Sequence, residues 1–145
     1  MNHDDLVEEW SKDNTIDQTN IINELTRTPF LHSKYMKYYL NYKARHVGAE
    51  AKYHELRNLK RKYFQGRMTK EELDEYGWDQ YQGLKLSSTE FMMVCEDDPD
   101  LIKLDGKVKF YQLMVQGLDY IIKSINSRDW ALKTMVEHNK FLNGG

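Results

Sequence analysis

The stretch from Pro99 to Ile125 reads PDLIKLDGKVKFYQLMVQGLDYIIKSI, and its spacing decides the fold class. Leu101, Leu104, Val108, Tyr111, Val115, Leu118, Ile122 and Ile125 follow one another in alternating steps of three and four residues. A strand repeats every second residue and cannot produce this order. A helix puts all eight side chains on one stripe, and heptads sustained over this length predict a coiled-coil seam. Asp98-Pro99 supplies the start, because proline at the first helical turn gives up an N–H that has no partner there anyway. Gly106 and Gly117 lie off the seam. Ser127-Arg128-Asp129 breaks the pattern, and Trp130, Leu132, Met135, Val136 and Phe141 predict a separate amphipathic helix behind it.

Working outward toward the N-terminus, the rest of the chain also reads as α. Ser87-Ser88-Thr89-Glu90 and Thr69-Lys70-Glu71-Glu72 are capping boxes that open short helices, the second stopped by Gly77. Gly77–Leu86 has no periodicity and is the candidate linker. Thr28-Pro29 looks like a cap and first turn, so a helix is expected from Pro29 to Gln65, with Gly48 as a weak interior point. At 1.5 Å per residue it would run about 55 Å, more than one compact core needs. Shorter helices are expected at Asp4–Lys12 and Thr19–Arg27. The resulting expectation is an all-α protein of long helices with a coiled-coil-like C-terminal segment and an oligomeric assembly. Its domains are 1–76, an N-terminal helical region that holds a run of basic residues between Lys34 and Arg67 and is therefore expected to bind DNA, a linker at 77–86, and 87–145 for oligomerisation.

Composition supports assembly. Only 33 of the 145 residues are Leu, Ile, Val or Phe, while ten Tyr, seven Met and three Trp supply much of the remaining apolar surface. Chains with a thin aliphatic supply often complete their core between subunits. The seam at Leu101–Ile125 could pack inside one chain against the long basic helix or hold subunits together; the second is the reading adopted. Cys95 is the only cysteine, so neither a disulfide framework nor a cysteine-based zinc site is available. The acidic N-terminus does not read as a signal peptide, and no run approaches the length of a membrane span. A soluble intracellular protein is expected.

The net charge of −2 conceals an imbalance. Between Lys34 and Arg67 stand Lys34, Lys37, Lys43, Arg45, Lys52, Arg57, Lys60, Arg61, Lys62 and Arg67, opposed only by Glu50 and Glu55. Tyr35, Tyr38, Tyr39, Tyr42, Tyr53, Tyr63 and Phe64 are interleaved with them. Cations neutralise phosphates and release counterions, and aromatic rings give unpaired bases a stacking surface. This mix therefore favours single strands over duplex. The candidate DNA-binding residues are Lys37, Lys43, Arg45, Arg57, Lys60, Arg61, Lys62, Tyr63, Phe64 and Arg67. A competing reading is a packing stripe, since Tyr35, Tyr42, Ala49, Leu56 and Tyr63 recur every seventh residue. A further alternative is a helical scaffolding protein whose basic face docks an acidic protein partner.

Other chemistry finds little support. His46 and His54 lack clustered ligands, and Asp97, Asp98, Asp100 and Asp105 lack the spacing of a calcium loop and are better read as helix caps. Cys95 reads as a buried, inert thiol. Nothing resembles a phosphate-cradling glycine loop or a catalytic constellation. No enzyme activity, cofactor or metal is expected.

The acidic start Asp4-Asp5-Leu6 with Glu9, Lys12-Asp13 and Ile16-Asp17, then Ser33-Lys34-Tyr35, Tyr63-Phe64-Gln65-Gly66-Arg67, Asp100-Leu101-Ile102-Lys103-Leu104-Asp105, Tyr111 and Ile121 with Lys123-Ser124, form a diffuse pattern over nearly the whole chain. It resembles the UvsY recombination mediator family of T-even-type bacteriophages. That resemblance implies a single-stranded-DNA binder assembling as a homo-oligomeric ring of six or seven subunits. It implies two protein partners, the phage recombinase and the phage single-strand-binding protein, and action in recombination, repair and recombination-dependent replication. It implies the cytoplasm of the infected bacterial host as the place of action, with no membrane partner. In the family a Lys and an Arg two residues apart, just before the aromatic pair and glycine, are associated with DNA. Counted back from Gly66, the Arg position falls on Lys60 and the Lys position on the uncharged Asn58, with Arg57 and Arg61 as neighbouring cations.

Overall fold

The computed structural model describes residues 1–144. Its elements are α1 (His3–Asp13), α2 (Ile21–Phe64), α3 (Lys70–Tyr76), α4 (Ser88–Asp97) and α5 (Pro99–Leu142), with no strand among the described residues. Two compact units are present. One comprises Met1–Arg45 with Tyr111–Gly145, the other His46–Phe110. The 44-residue helices α2 and α5 each run through both. This division cuts across the long helices, whereas the sequence reading divides the chain in order at 77–86.

Two expected helix boundaries do not exist. Thr28-Pro29 starts nothing, because α2 begins at Ile21 and continues through Pro29. Proline costs a helix the bond to the carbonyl four residues back, but residues on both sides of it serve one buried face: Ile21 and Glu24 before it, Leu31 and Tyr35 after it. Ser127-Arg128-Asp129 breaks nothing either. Arg128 takes an inward position of α5 and is 6 % exposed, bonding through Nη2 to the carboxylate of Glu24, itself 4 % exposed. Within the polar triad that looks like a break, Arg128 is one half of a buried ion pair.

In the first unit the inward residues of α5 are Met114, Leu118, Ile121, Ile125, Arg128 and Leu132, facing a core with Leu6, Ile21, Leu31, Tyr35 and Tyr42. The three-four spacing is kept, but Met114 and Ile121 take the deep places expected of Val115 and Ile122, which are half-buried. Each fully buried Leu, Ile or Met contributes about 1.5–3 kcal/mol. Helix α1 opens with a capping box between Asn2 and Asp5 and sets Leu6 over α5 at Gly117, where a Cβ would stand 3.5 Å from Leu6 Cδ2. Trp10 meets Tyr35 edge to face at 5.3 Å.

In the second unit Ala49, Met68, Leu73, Phe91 and Leu101 are buried. Thr69 and Glu72 cap α3 reciprocally, and Gly77 closes it in the left-handed region at φ +67°. The irregular segment that follows is packed: Trp78 N donates to Leu73 O at 2.9 Å, Tyr81 Oη to Leu84 O at 2.6 Å, and Leu86 N to Phe64 O at 3.3 Å. The stretch read as a linker lies inside this unit. Asp98 caps α5, accepting from the backbone N–H of Asp100 and Leu101 at 3.0 Å each.

Candidate nucleic-acid interface

The basic segment splits into cations that are engaged and cations that are free. In the first unit Lys34 Nζ lies 2.8 Å from Glu9 and 2.6 Å from Asp13. Tyr35 donates to Asp13 at 2.8 Å and Tyr38 to Glu9 at 3.0 Å. Tyr35 is fully buried and Tyr42 nearly so. Of the seven-residue stripe Tyr35, Tyr42 and Ala49 are buried while Leu56 and Tyr63 are half-buried, so Tyr35 and Tyr42 are occupied in holding the fold. Burial and its hydrogen bond to Asp13 push the Tyr35 phenol far above its usual value. Lys37, Lys43 and Arg45 are exposed, and no carboxylate among the described residues pairs with them. Arg45 rests against the ring of Tyr42, its guanidinium carbon 5.3 Å from the centroid.

In the second unit Lys60 is only 9 % exposed. Its ammonium is 2.6 Å from Asp98 and 3.0 Å from Asp100. Lys62 pairs with Glu72 at 2.6 Å. Arg61 is half-buried, 5.5 Å from the centre of the Phe91 ring. Arg57 is half-buried, its Nε lacks a hydrogen-bond partner, and it lines a cavity with Tyr53, Met92, Cys95 and Glu96. Cys95 is half-buried there, where a buried thiol was expected. Arg67 and Asn58 are exposed. Tyr63 and Phe64 belong to a cluster the sequence reading missed: Tyr63 lies 5.4 Å from Trp78 and 5.5 Å from Tyr81, and Phe64 lies 5.2 Å from Tyr81 and 6.3 Å from Phe91. The signal was available in Trp78 and Tyr81, two rings within the segment 77–86 assigned as linker.

The proposed oligomerisation residues also divide. Leu101, Leu118 and Ile125 are at most 1 % exposed within the single chain. Leu104, Val108, Tyr111, Val115 and Ile122 are half-buried. The apolar side chains that α5 leaves outside are others, among them Leu113 at 54 %, Tyr120 at 73 %, Trp130 at 70 % and Phe141 at 81 % exposed.

The engaged carboxylates and lysines carry a pH signature. Burial opposes ionisation of Asp13, but hydrogen bonds from Lys34 and Tyr35 outweigh it and hold the carboxyl below its ordinary 3.8. Burial likewise opposes ionisation of Asp98, and the bond to Lys60 outweighs it. Lys60 is raised above 10.5, burial being overcome by its bonds to Asp98 and Asp100. A depressed carboxyl stabilises the fold above its unfolded value and loses that contribution as pH falls through the folded one; a raised amine stabilises below its unfolded value and loses it as pH rises through the folded one. The expected result is a thermal midpoint that these pairs leave flat through neutrality and lower below about pH 3.8 and above about pH 10.5. Circular dichroism melts across pH read it, and a steep loss between pH 5 and 8 would contradict the assignment.

Fold and site define an all-helical protein that presents unpaired cations beside aromatic rings, with no cluster of metal-ligating side chains and no helix long and apolar enough to cross a membrane among the described residues. The family model described as "Recombination, repair and ssDNA binding protein UvsY" matches residues 9–145, and the chain belongs to that family. It is 26 % identical over 141 residues to the recombination protein uvsY of Enterobacteria phage T4, covering 97 % of each chain. Crystal structures of the bacteriophage T4 recombination mediator protein UvsY share the fold. One superposes with a TM-score of 0.84 at 23 % identity, covering 100 % of this chain and 99 % of that one. Another gives 0.81 at 22 % identity, covering 97 % and 99 %.

Proposed function

We propose that this chain is a non-catalytic, single-stranded-DNA-binding recombination mediator. It helps a phage recombinase load onto DNA coated by the phage single-strand-binding protein, in recombination, repair and recombination-dependent replication within the infected host's cytoplasm. Membership in the UvsY family carries the reading. The free cations Lys37, Lys43, Arg45 and Arg67 supply the chemistry it needs, since each can neutralise a phosphate without first breaking an internal ion pair. The chain acts as a homo-oligomer, for which the exposed Leu113, Tyr120, Trp130 and Phe141 of α5 offer apolar contact. Repeating a modest site around an assembly multiplies its hold on one strand.

The test is a fluorescence-anisotropy titration with labelled oligo-dT and with duplex of equal length, at several salt concentrations. Preference for the single strand is expected, with a log–log slope of about −0.7 for each phosphate neutralised. Affinity that ignores salt, or equal binding to duplex, would overturn the reading. Sedimentation velocity on the same sample reads the assembly, and a monomer at working concentration would remove the oligomer from it.

A further inference from the structure

Beside the basic end of α2 lies a cavity of about 330 Å³ lined by Lys60, Tyr63, Phe64, Gly77, Trp78, Asp79 and Asp100. That volume falls at the small end of ligand sites, which run to roughly 300–1,000 Å³. Its rings form a continuous group, with Tyr63 5.3 Å from Phe64 and 5.4 Å from Trp78. Asp100 is paired with Lys60. Asp79 is exposed and has no ion-pair partner among the described residues.

We infer that this cavity receives one unstacked base of the bound strand and prefers bases that carry an exocyclic amino group. The inference rests on the single-strand reading above and adds to it a base-selective subsite. Aromatic walls stack on any base, because every base has a π face. The free carboxylate makes the difference between bases. Asp79 can only accept hydrogen bonds, so it suits the N4 amine of cytosine, whereas thymine offers a carbonyl oxygen at the same place and would set acceptor against acceptor. Rings with a carboxylate could also attract a small organic cation. Lys60 disfavours that occupant, since its ammonium sits in the lining and already engages Asp100. A base brings its phosphates alongside, where exposed Arg67, close to Tyr63 in the chain, is free to take one.

The experiment compares oligo-dC with oligo-dT of equal length on the full chain, following anisotropy and tryptophan fluorescence, in the unaltered protein, in Trp78→Phe and in Asp79→Asn. Oligo-dC is expected to bind about fivefold or more tightly than oligo-dT. Its quenching of fluorescence should vanish in Trp78→Phe. Asp79→Asn should bring the two oligonucleotides to equal affinity, because an amide both donates and accepts; Asp79 is exposed, so this variant should keep the native circular dichroism spectrum. Equal binding of dC and dT by the unaltered protein, or a preference that survives Asp79→Asn, overturns the subsite while single-strand binding stands. Quenching by choline in competition with dC overturns it in favour of a cation site. Failure of both oligonucleotides to bind would instead fell the functional reading on which it depends.

Discussion

At 0.1 M salt, replacing Lys37, Lys43, Arg45 and Arg67 together by glutamine is expected to weaken binding to oligo-dT by several hundred-fold. All four are exposed and lack carboxylate partners among the described residues, so each is counted as neutralising one phosphate. Four such contacts set a salt slope of about −2.8 on a single strand, and the release term they supply at 0.1 M relative to 1 M is about 10^2.8. The slope itself should flatten by the same amount, which distinguishes lost phosphate contacts from damaged protein. Lys60→Gln is the instructive contrast. It removes a charge from the centre of the basic run but takes it from between Asp98 and Asp100. That variant should melt earlier and leave the salt slope unchanged. If Lys60→Gln flattened the slope while the fourfold variant did not, the division into engaged and free cations would be wrong.

The second large effect concerns stability. Arg128→Leu is expected to cost about 3 kcal/mol, because it leaves the buried carboxylate of Glu24 without its deepest partner. The lower end of the range for broken buried pairs applies for two reasons. Arg27 still reaches Glu24 at 3.0 Å, and Nε and Nη1 of Arg128 are themselves buried without partners, a desolvation cost the substitution removes. In a chain of 145 residues the melting midpoint should fall by roughly 10 °C. Adding Glu24→Leu should recover part of the loss, since two apolar side chains need no compensating charge. A single variant that melts within a degree or two of the unaltered protein would show that the pair is not buried in solution.

These two predictions mark where reading the sequence succeeds and where it stops. Local signals were legible. The capping box Thr69–Glu72, the stop at Gly77, the Asp98 cap and the three-four spacing of α5 all follow from neighbours within a turn or two. Pro29 and Arg128 were misread because their meaning lies far away in the chain. Pro29 is tolerated by a face whose other members flank it on both sides, and Arg128 is matched by Glu24 across 104 residues. The candidate site failed in the same way. Counting gave an excess of eight positive charges between Lys34 and Arg67, but the count cannot tell that Lys60 meets Asp98 across 38 residues while Lys43 meets no carboxylate. Likewise Trp78 and Tyr81 fell in a segment without periodicity that reads as linker, although both pack on Tyr63 and Trp78 lines the cavity beside it.

The division of the chain into a contiguous unit and a split one sets an order of events during synthesis. His46–Phe110 is a single uninterrupted segment, so all its contacts become available once that segment has left the ribosome. The other unit needs both termini, and its Glu24–Arg128 pair cannot form until residue 128 has emerged. Until then the α5 share of the core to which Leu31 and Tyr35 belong is incomplete. Because closing so long a loop is slow relative to local pairing, a nascent chain passes through a state in which one unit is folded while the other still holds open an apolar face.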